Sequence, residues 1–225
     1  MKRSVVRICG ECVNENGSNI IIYRNECKDV VLFENKYYHT ECFKKLCELK
    51  LSKRKIKKWI NALNNIGEYE QNAKESINEY FDKDDVYRFI ISTYDLAIVP
   101  SYIWIKLDKI YKGGLNGMSV GIPPAHLYDM WKRQITNLNK IYDNNKRKGK
   151  EMDKVQRLNY DLSILVNKYD SYLTWLNQQK ILAEQSRKEQ QEKKEKIDYK
   201  KISDMKIQSS EKNEDDIEQL LDELF

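Results

Sequence analysis

Cys9-Gly10-Glu11-Cys12 and His39-Thr40-Glu41-Cys42 are the two stretches that decide the fold. Two residues lie inside each pair, and 26 residues separate Cys12 from His39. A tight turn with two intervening residues brings both side chains of a pair to the same side, so that each pair can grip one ion. Three thiolates and one imidazole make a closed tetrahedral set with a soft-to-borderline preference, the donor chemistry of Zn²⁺. A closed set leaves no open position, so the expectation is one structural zinc ion on Cys9, Cys12, His39 and Cys42. About 35 residues bury too little apolar surface to fold alone, and the ion is expected to hold them together. Cys27, at the expected tip of a hairpin, and Cys47, one turn into the following helix, are expected to be unligated. His126 stands beside Pro124 and Leu127, far from any Cys, and reads as a surface or capping residue at a helix start.

Between the ligand pairs lie two β-like runs, Ile20-Ile21-Ile22-Tyr23 and Val30-Val31-Leu32-Phe33. Asn25 to Asp29 reads as the hairpin turn joining them, and Asn35-Lys36 as a second turn before Tyr37-Tyr38-His39. Cys9-x-x-Cys12, the hairpin, and Phe33-Glu34-Asn35-Lys36-Tyr37-Tyr38-His39-Thr40-Glu41-Cys42-Phe43 together resemble the first half of a LIM domain, a treble-clef-like zinc finger. The resemblance implies zinc and a binding role. It stops after Cys42, because no second quartet of ligands follows.

Beyond the finger the periodicity changes from two to between three and four. Leu46, Leu49, Ile56, Trp59-Ile60 and Leu63 predict helix, with a break near Gly67. Apolar-periodic segments follow at 70–81 and 85–98. Pro100 ends the second, and Ser101 is placed to cap a helix running to Tyr111. Leu127, Trp131, Ile135, Leu138 and Tyr142 repeat with nearly a seven-residue double step, as do Val155, Leu158, Leu162, Leu165, Tyr169, Tyr172 and Leu176. The polar turn Asn144 to Lys150 between them makes this an antiparallel helical hairpin with coiled-coil-like packing. The expected fold is mainly α. A β-hairpin zinc finger (1–43) leads into a helical domain with a basic first helix (44–112). A loop plus long helical hairpin (113–184), a charged linker or helix extension (185–208) and an acidic amphipathic tail (209–225) complete it. The motifs from Tyr94-Asp95 through Gly121-Ile122-Pro123-Pro124 to Trp131-Lys132 resemble small finger proteins of Firmicutes phages and prophages. That resemblance implies a mobile-element origin and the cytoplasm of a bacterial host.

Composition agrees with this organisation. The chain has 225 residues, of which 33% are charged and 40% hydrophobic, with only eight Gly and three Pro. Scarce Gly and Pro with abundant Lys, Glu, Leu and Asn argue for helices rather than a sandwich or barrel. No apolar run approaches the roughly 20 residues of a membrane span. Met1 to Cys9 carries charge but no apolar core, so it does not read as a signal peptide, and five Cys are then not a disulfide framework. No phosphate loop is expected, since Gly113-Gly114-x-x-Gly117 follows a helix and lacks the Lys-Ser/Thr ending. With His39 assigned to metal and His126 isolated, no catalytic set emerges, and the protein reads as a non-enzyme. Trp59, Trp104, Trp131 and Trp175 fall on periodic faces and are expected in the core rather than on a base-stacking platform.

Charge is distributed unevenly. Lys44, Lys45, Lys50, Lys53, Arg54, Lys55, Lys57 and Lys58 crowd the helix leaving the finger, with Glu48 as the single acid between Lys44 and Lys58. This is a candidate phosphate-binding surface for DNA or RNA. It carries no base-reading pattern, so binding there is expected to be salt-sensitive and sequence-tolerant. A second basic cluster, Lys146-Arg147-Lys148-Gly149-Lys150, marks the hairpin turn. Residues 209–225 carry a net charge of −6, leaving +11 on the rest. Within them Ile217, Leu220, Leu221, Leu224 and Phe225 form one face of a short helix. Such a stripe is expected to dock in a groove of a host or phage replication or transcription protein, with docking on the protein's own basic helix and plain disorder as the alternatives. The ending Leu221 to Phe225 resembles the short tail peptides that bind sliding clamps, without their Gln at the matching place. The leading functional expectation is a zinc-bearing protein acting on nucleic acid or its machinery. The alternative is a protein–protein adaptor or inhibitor whose finger is purely structural.

Overall fold

The computed structural model describes residues 3–12, 19–24, 26–53, 57–115, 118 and 120–194. Two compact units divide the chain, Met1–Asn167 and Lys168–Phe225. The first opens with four short strands, β1 (Ser4–Ile8), β2 (Asn19–Tyr23), β3 (Val30–Phe33) and β4 (Lys36–His39). Six helices follow: α1 (Thr40–Lys53), α2 (Lys57–Asn64), α3 (Ile66–Tyr94), α4 (Ser101–Lys112), α5 (Pro124–Arg147) and α6 (Lys154–Asn167). In the second unit the described residues are helical from 169 to 194. The fold is mainly α with a small amino-terminal β region, as the periodicities require. No helix among the described residues is long and apolar enough to cross a membrane.

The strands pair differently from the sequence expectation. Ile20–Tyr23 does not pair with Val30–Phe33. Instead β2 pairs antiparallel with β1, in a register that puts Val5 opposite Ile22 and Arg7 opposite Ile20, and β3 pairs with β4. The physical reason lies in the turns. Glu34 and Asn35 both take positive φ, 48° and 63°, between the paired residues Phe33 and Lys36. A two-residue loop with both φ positive matches the right-handed twist of its strands, so β3 closes on its sequence neighbour. β2 is then left to the alternating run Ser4-Val5-Val6-Arg7-Ile8. Val5, Ile20 and Ile22 of this hairpin are buried, while Val6, Ile8 and Ile21 are 53%, 61% and 58% exposed.

The 29-residue α3 is the spine of the first unit. β3 packs on it, and so do α5 and α6. The expected break at Gly67 falls slightly earlier, between Asn64 and Ile66, and Gly67 sits in the first turn of α3. The two segments expected at 70–81 and 85–98 are one continuous helix, which ends at Asp95 in the left-handed conformation. Around the amino-terminal half of α3, Ala73, Ile77 and Phe81 join Val31, Phe33, Tyr38, Phe43 and Cys47 in one core. Phe33 anchors an aromatic set there, with Phe43, Trp59 and Tyr69 rings 5.1, 5.4 and 5.2 Å away. Around the carboxyl-terminal half, Val86, Ile90 and Tyr94 meet Ile103, Leu107, Leu127, Trp131, Leu158 and Leu162, all buried.

The helical hairpin of α5 and α6 forms where expected. Gly149, at φ 75°, ends the first arm, and its N–H donates to the Lys146 carbonyl at 3.0 Å. Asp153 starts the second arm with a reciprocal cap. Its Oδ1 accepts the N–H groups of Val155 (2.8 Å) and Gln156 (2.7 Å), and its own N–H donates to Gln156 Oε1 (3.1 Å). The second arm is not continuous through Leu176. It stops at Asn167, and helix resumes at residue 169. Inside the hairpin a polar network replaces some of the expected apolar packing. The Tyr94 hydroxyl donates to Asp161 Oδ2 at 2.7 Å and accepts the indole N–H of Trp131 at 3.1 Å. Arg157 stands 3.7 Å from Asp161 and 4.4 Å from the Tyr142 ring centroid, and also bonds Asn139. Of the tryptophans expected in the core, Trp131 is fully buried, Trp59 and Trp175 are half-buried, and Trp104 is 40% exposed.

Candidate metal centre

Each ligand pair sits at the end of a strand. β1 runs into Cys9, whose backbone forms a parallel bridge with Tyr37 on β4. The Gly10 N–H then donates to the Tyr37 carbonyl at 2.8 Å, which folds the Cys9–Cys12 turn over β4. A side chain at position 10 would collide with the buried Tyr38 ring, since a Cβ there lies 2.7 Å from its Cε1. Glycine is therefore what lets the first ligand pair approach the second. His39 closes β4 opposite Val30, and the Thr40 N–H donates to the Asp29 carbonyl at 2.9 Å. The chain turns there into α1, whose first turn carries Cys42. The Thr40 hydroxyl donates to Glu70 on α3 at 2.8 Å and so pins the start of α1 to the spine.

The result brings all four expected ligands together. Their donor atoms lie within 4.8 Å of one another, and His39 Nδ1 stands 3.6 Å from Cys12 Sγ and 3.7 Å from Cys42 Sγ. Cys9 and Cys12 are buried, His39 and Cys42 half-buried. Burial pushes the Cys9 thiol up, but the backbone N–H groups of Cys12, Glu11 and His39 donate to its sulfur, and the net effect brings it down to about 6. Burial pushes Cys12 up to about 12, with the neighbouring Cys9 sulfur adding to the rise. Cys42 is raised by burial and by the charge of Cys9, against which Lys45 acts in the other direction. One sulfur is thus prepared as a thiolate and the others resist joining it, because negative charges this close repel. A cation in their midst removes that conflict. The site can hold one metal ion.

Cys27 and Cys47 lie outside this cluster. Cys47 is fully buried in the core beside Phe43, and Cys27 is half-buried against the same core. Burial raises both thiols. His126 lies in the first turn of α5, away from the ligands.

The basic residues are placed less simply. Lys44 pairs with Glu41 at 2.9 Å. Lys58 pairs with Glu34 and lies over the rings of Phe33 and Trp59, 5.3 and 5.5 Å from their centroids. Lys45, Lys50 and Lys57 are exposed. Lys53 ends α1, but its side chain, like Arg54 and Lys55, lies outside the described residues. The same holds for the tail residues Ile217, Leu220, Leu221, Leu224 and Phe225.

Periodicity gave no hint of how the β1–β2 hairpin is tied to α3. Arg3 pairs with Asp84 (3.0 Å) and Asp85, and Arg24 with Asp82 and Asp85. Arg7 lies over the rings of Tyr37 and Tyr80. The only available signal was the run Asp82-Lys83-Asp84-Asp85, too acidic for one helical turn unless cations answer it. No protein-family model matches the chain, and no curated protein or solved structure is detectably similar to it.

Proposed function

We propose that this is a non-enzymatic, zinc-stabilised protein that binds nucleic acid, or the machinery acting on it, in a largely sequence-independent way. The observation that carries the reading is the spacing of the four donor atoms. Zn–S bonds of about 2.3 Å and a Zn–N bond of about 2.0 Å at tetrahedral angles set sulfur–nitrogen edges of about 3.5 Å. The two sulfur–nitrogen separations are 3.6 and 3.7 Å. Cys9, Cys12, His39 and Cys42 fill such a shell completely, which makes the ion structural. It clips the ends of β1 and β4 and the start of α1 into one module.

The partner class follows from charge. Lys45, Lys50 and Lys57 are exposed on the helices leaving the module, and the chain outside residues 209–225 carries +11. Lys146, Arg147, Lys148 and Lys150 add an exposed cluster at the α5–α6 turn. A surface of mobile lysines neutralises phosphates without reading bases. The likeness to phage and prophage finger proteins points to the cytoplasm of a bacterial host as the setting. The test is a salt titration of zinc-loaded protein against random single- and double-stranded DNA. Affinity should fall steeply with salt, and no binding at low salt overturns the reading.

A second reading has its own observation. The outer face of the β1–β2 hairpin presents Val6, Ile8, Ile21 and Tyr23 together, 38% to 61% exposed. A contiguous apolar face of this kind suits a protein partner, as an adaptor or inhibitor requires. The acidic tail, whose sequence spaces Ile217, Leu220, Leu221, Leu224 and Phe225 in the manner of an amphipathic peptide, would serve the same role.

A further inference from the structure

Away from the metal centre, the outer surface of α3 forms the floor of a trough of about 570 Å³ lined by Asp85, Tyr87, Arg88, Phe89, Ser92 and Tyr128. Three of the lining residues are aromatic, Tyr87, Phe89 and Tyr128, and each packs on a further ring. Tyr87 lies against Trp104 of α4, with ring centroids 5.2 Å apart and planes inclined by 31°. Phe89 meets Tyr128 of α5 edge to face at 5.7 Å, and Phe89 in turn rests on the fully buried Trp131 at 5.8 Å. The lining rings belong to α3 and α5, which pack on each other. Tyr87, Phe89 and Tyr128 are half-buried and Trp104 is exposed.

The charges of the floor cancel. Asp84 takes Arg88 at 2.7 Å and also Arg3, while Asp85 takes Arg3 and Arg24. Arg88 uses its Nε for Asp84, and its two terminal nitrogens have no acceptor among the described residues. Lys132, 5.2 Å from the Tyr128 ring centroid, is the cation at the rim that no carboxylate pairs within the described residues. A ligand matched to this place is flat and aromatic, to lie between rings, with one anionic group for Arg88 or Lys132. An acidic helix would bring several carboxylates to a floor that offers few free cations.

We infer that the trough lined by Tyr87, Phe89 and Tyr128 binds the bases of single-stranded nucleic acid by stacking, with a phosphate held by Arg88 and Lys132. This is a second site, separate from the lysines of α1 and α2, and it rests on the nucleic-acid reading for the nature of the ligand. Affinity here comes mainly from stacking, while the phosphate contacts of Arg88 and Lys132 give it the salt dependence usual for single-strand sites. Duplex DNA hides its base faces and cannot use it. A free nucleotide has the same chemistry as one residue of a strand.

The experiment measures binding of full-length, zinc-loaded protein to a short oligothymidine strand, to a duplex of equal charge, and to thymidine monophosphate. Tryptophan fluorescence is read alongside, with Trp104→Phe identifying the responding indole. The expected result is preference for the strand over the duplex, with quenching that Trp104→Phe abolishes. Tyr87→Leu or Tyr128→Leu should each weaken the strand about tenfold while leaving the salt slope unchanged. Tyr87→Phe and Tyr128→Phe keep the ring and should bind like the parent. That separates stacking from loss of fold. Saturation by thymidine monophosphate with no gain from the strand supports the base site and makes a free nucleotide its source. Undiminished strand binding in the leucine variants, or tighter binding of duplex that they do not affect, overturns the trough. Lys45→Glu with Lys57→Glu tests the other surface independently, since it should flatten the salt slope without changing the tenfold trough effect.

Discussion

Replacing Tyr94 by Phe removes one oxygen from the most heavily used polar position in the core. The hydroxyl donates to Asp161 Oδ2 at 2.7 Å and accepts from Trp131 Nε1 at 3.1 Å. Tyr94, Asp161 and Trp131 are 3%, 1% and 0% exposed, so water cannot replace it. Leaving a buried donor or a buried charged acceptor unsatisfied costs about 1–3 kcal/mol each, and the pair together about 3 kcal/mol. For a unit of this size that is a fall of about 6–12 °C in Tm. Tyr111→Phe is the matched control within the same protein. Its hydroxyl is also buried but has no hydrogen-bond partner, so removing it should be neutral or slightly stabilising. The pH dependence follows from Asp161. Burial raises its carboxyl above the ordinary range, against the lowering effects of Tyr94 and Arg157. A carboxyl whose folded pKa lies above its unfolded value contributes stability that is present below the unfolded pKa and is lost as pH rises through the folded one. Tyr94→Phe removes one lowering partner, so the deficit of the variant should widen as pH rises above the ordinary Asp value of about 4. Denaturant melts of both variants across that rise are the assay. A Tyr94→Phe loss below about 1 kcal/mol, or equal losses in the two variants, refutes the network as a stabilising element.

On the proposed zinc reading, a chelator at neutral pH should disorder β1–β4 and the start of α1, with near-UV circular dichroism lost there before far-UV signal. Structural zinc in small fingers carries about 10 kcal/mol or more of folding free energy. Cys42→Ser should lower the metal content measured by elemental analysis. Gly10→Ala drives a Cβ to 2.7 Å from Tyr38, whereas nothing lies within 4 Å of a Cβ at Gly67. The first should cost about 1–3 kcal/mol and weaken zinc, and the second should stabilise by about 0.5–1 kcal/mol, both read from thermal melts. Arg24→Gln should cost under about 1 kcal/mol, because the guanidinium is 37% exposed, and added salt should shrink the difference.

The metal ligands were legible because their chemistry is local: two residues between partners force a turn whatever the surroundings. Helix existence was legible for the same reason, since the stripe Leu127, Trp131, Leu138 needs no partner to be recognised. Strand pairing was not. Ile20–Tyr23 is compatible with two neighbours, and the choice depended on Glu34 and Asn35 adopting positive φ, a backbone preference that composition states only weakly. Trp104 was misplaced because α4 is short and its apolar residues run around most of the helix. Ile103, Leu107 and Ile110 take the buried face and leave Trp104 and Ile105 outside. Asp161 sits on the apolar stripe of α6, where a pattern of hydrophobicity treats a carboxylate as surface. Only the arrival of Tyr94 and Arg157 from other turns explains its burial.

The aromatic trough and the β1–β2 hairpin, which runs into the metal centre at Cys9, share Asp85. That residue belongs to the trough floor and also receives Arg3 and Arg24 from the β1–β2 hairpin. The hairpin is short, a two-stranded ribbon of the sort that is marginal by itself, and an ion on the proposed site would fix it where β1 runs into Cys9. Loss of the ion therefore frees the arginines as well as the ligands. Asp82 and Asp85 would then stand without their guanidinium partners, and the floor would change from neutral to acidic. Phosphate approaching Arg88 would meet that charge, so chelation should weaken strand binding at a site that contains no metal ligand. The effect should be larger at low salt, because the new repulsion is screened at high salt. Asp85→Asn should blunt it, since a neutral amide leaves less charge to uncover. Equal strand affinity before and after chelation, with the hairpin shown to be disordered, would mean that the arginines do not govern the floor.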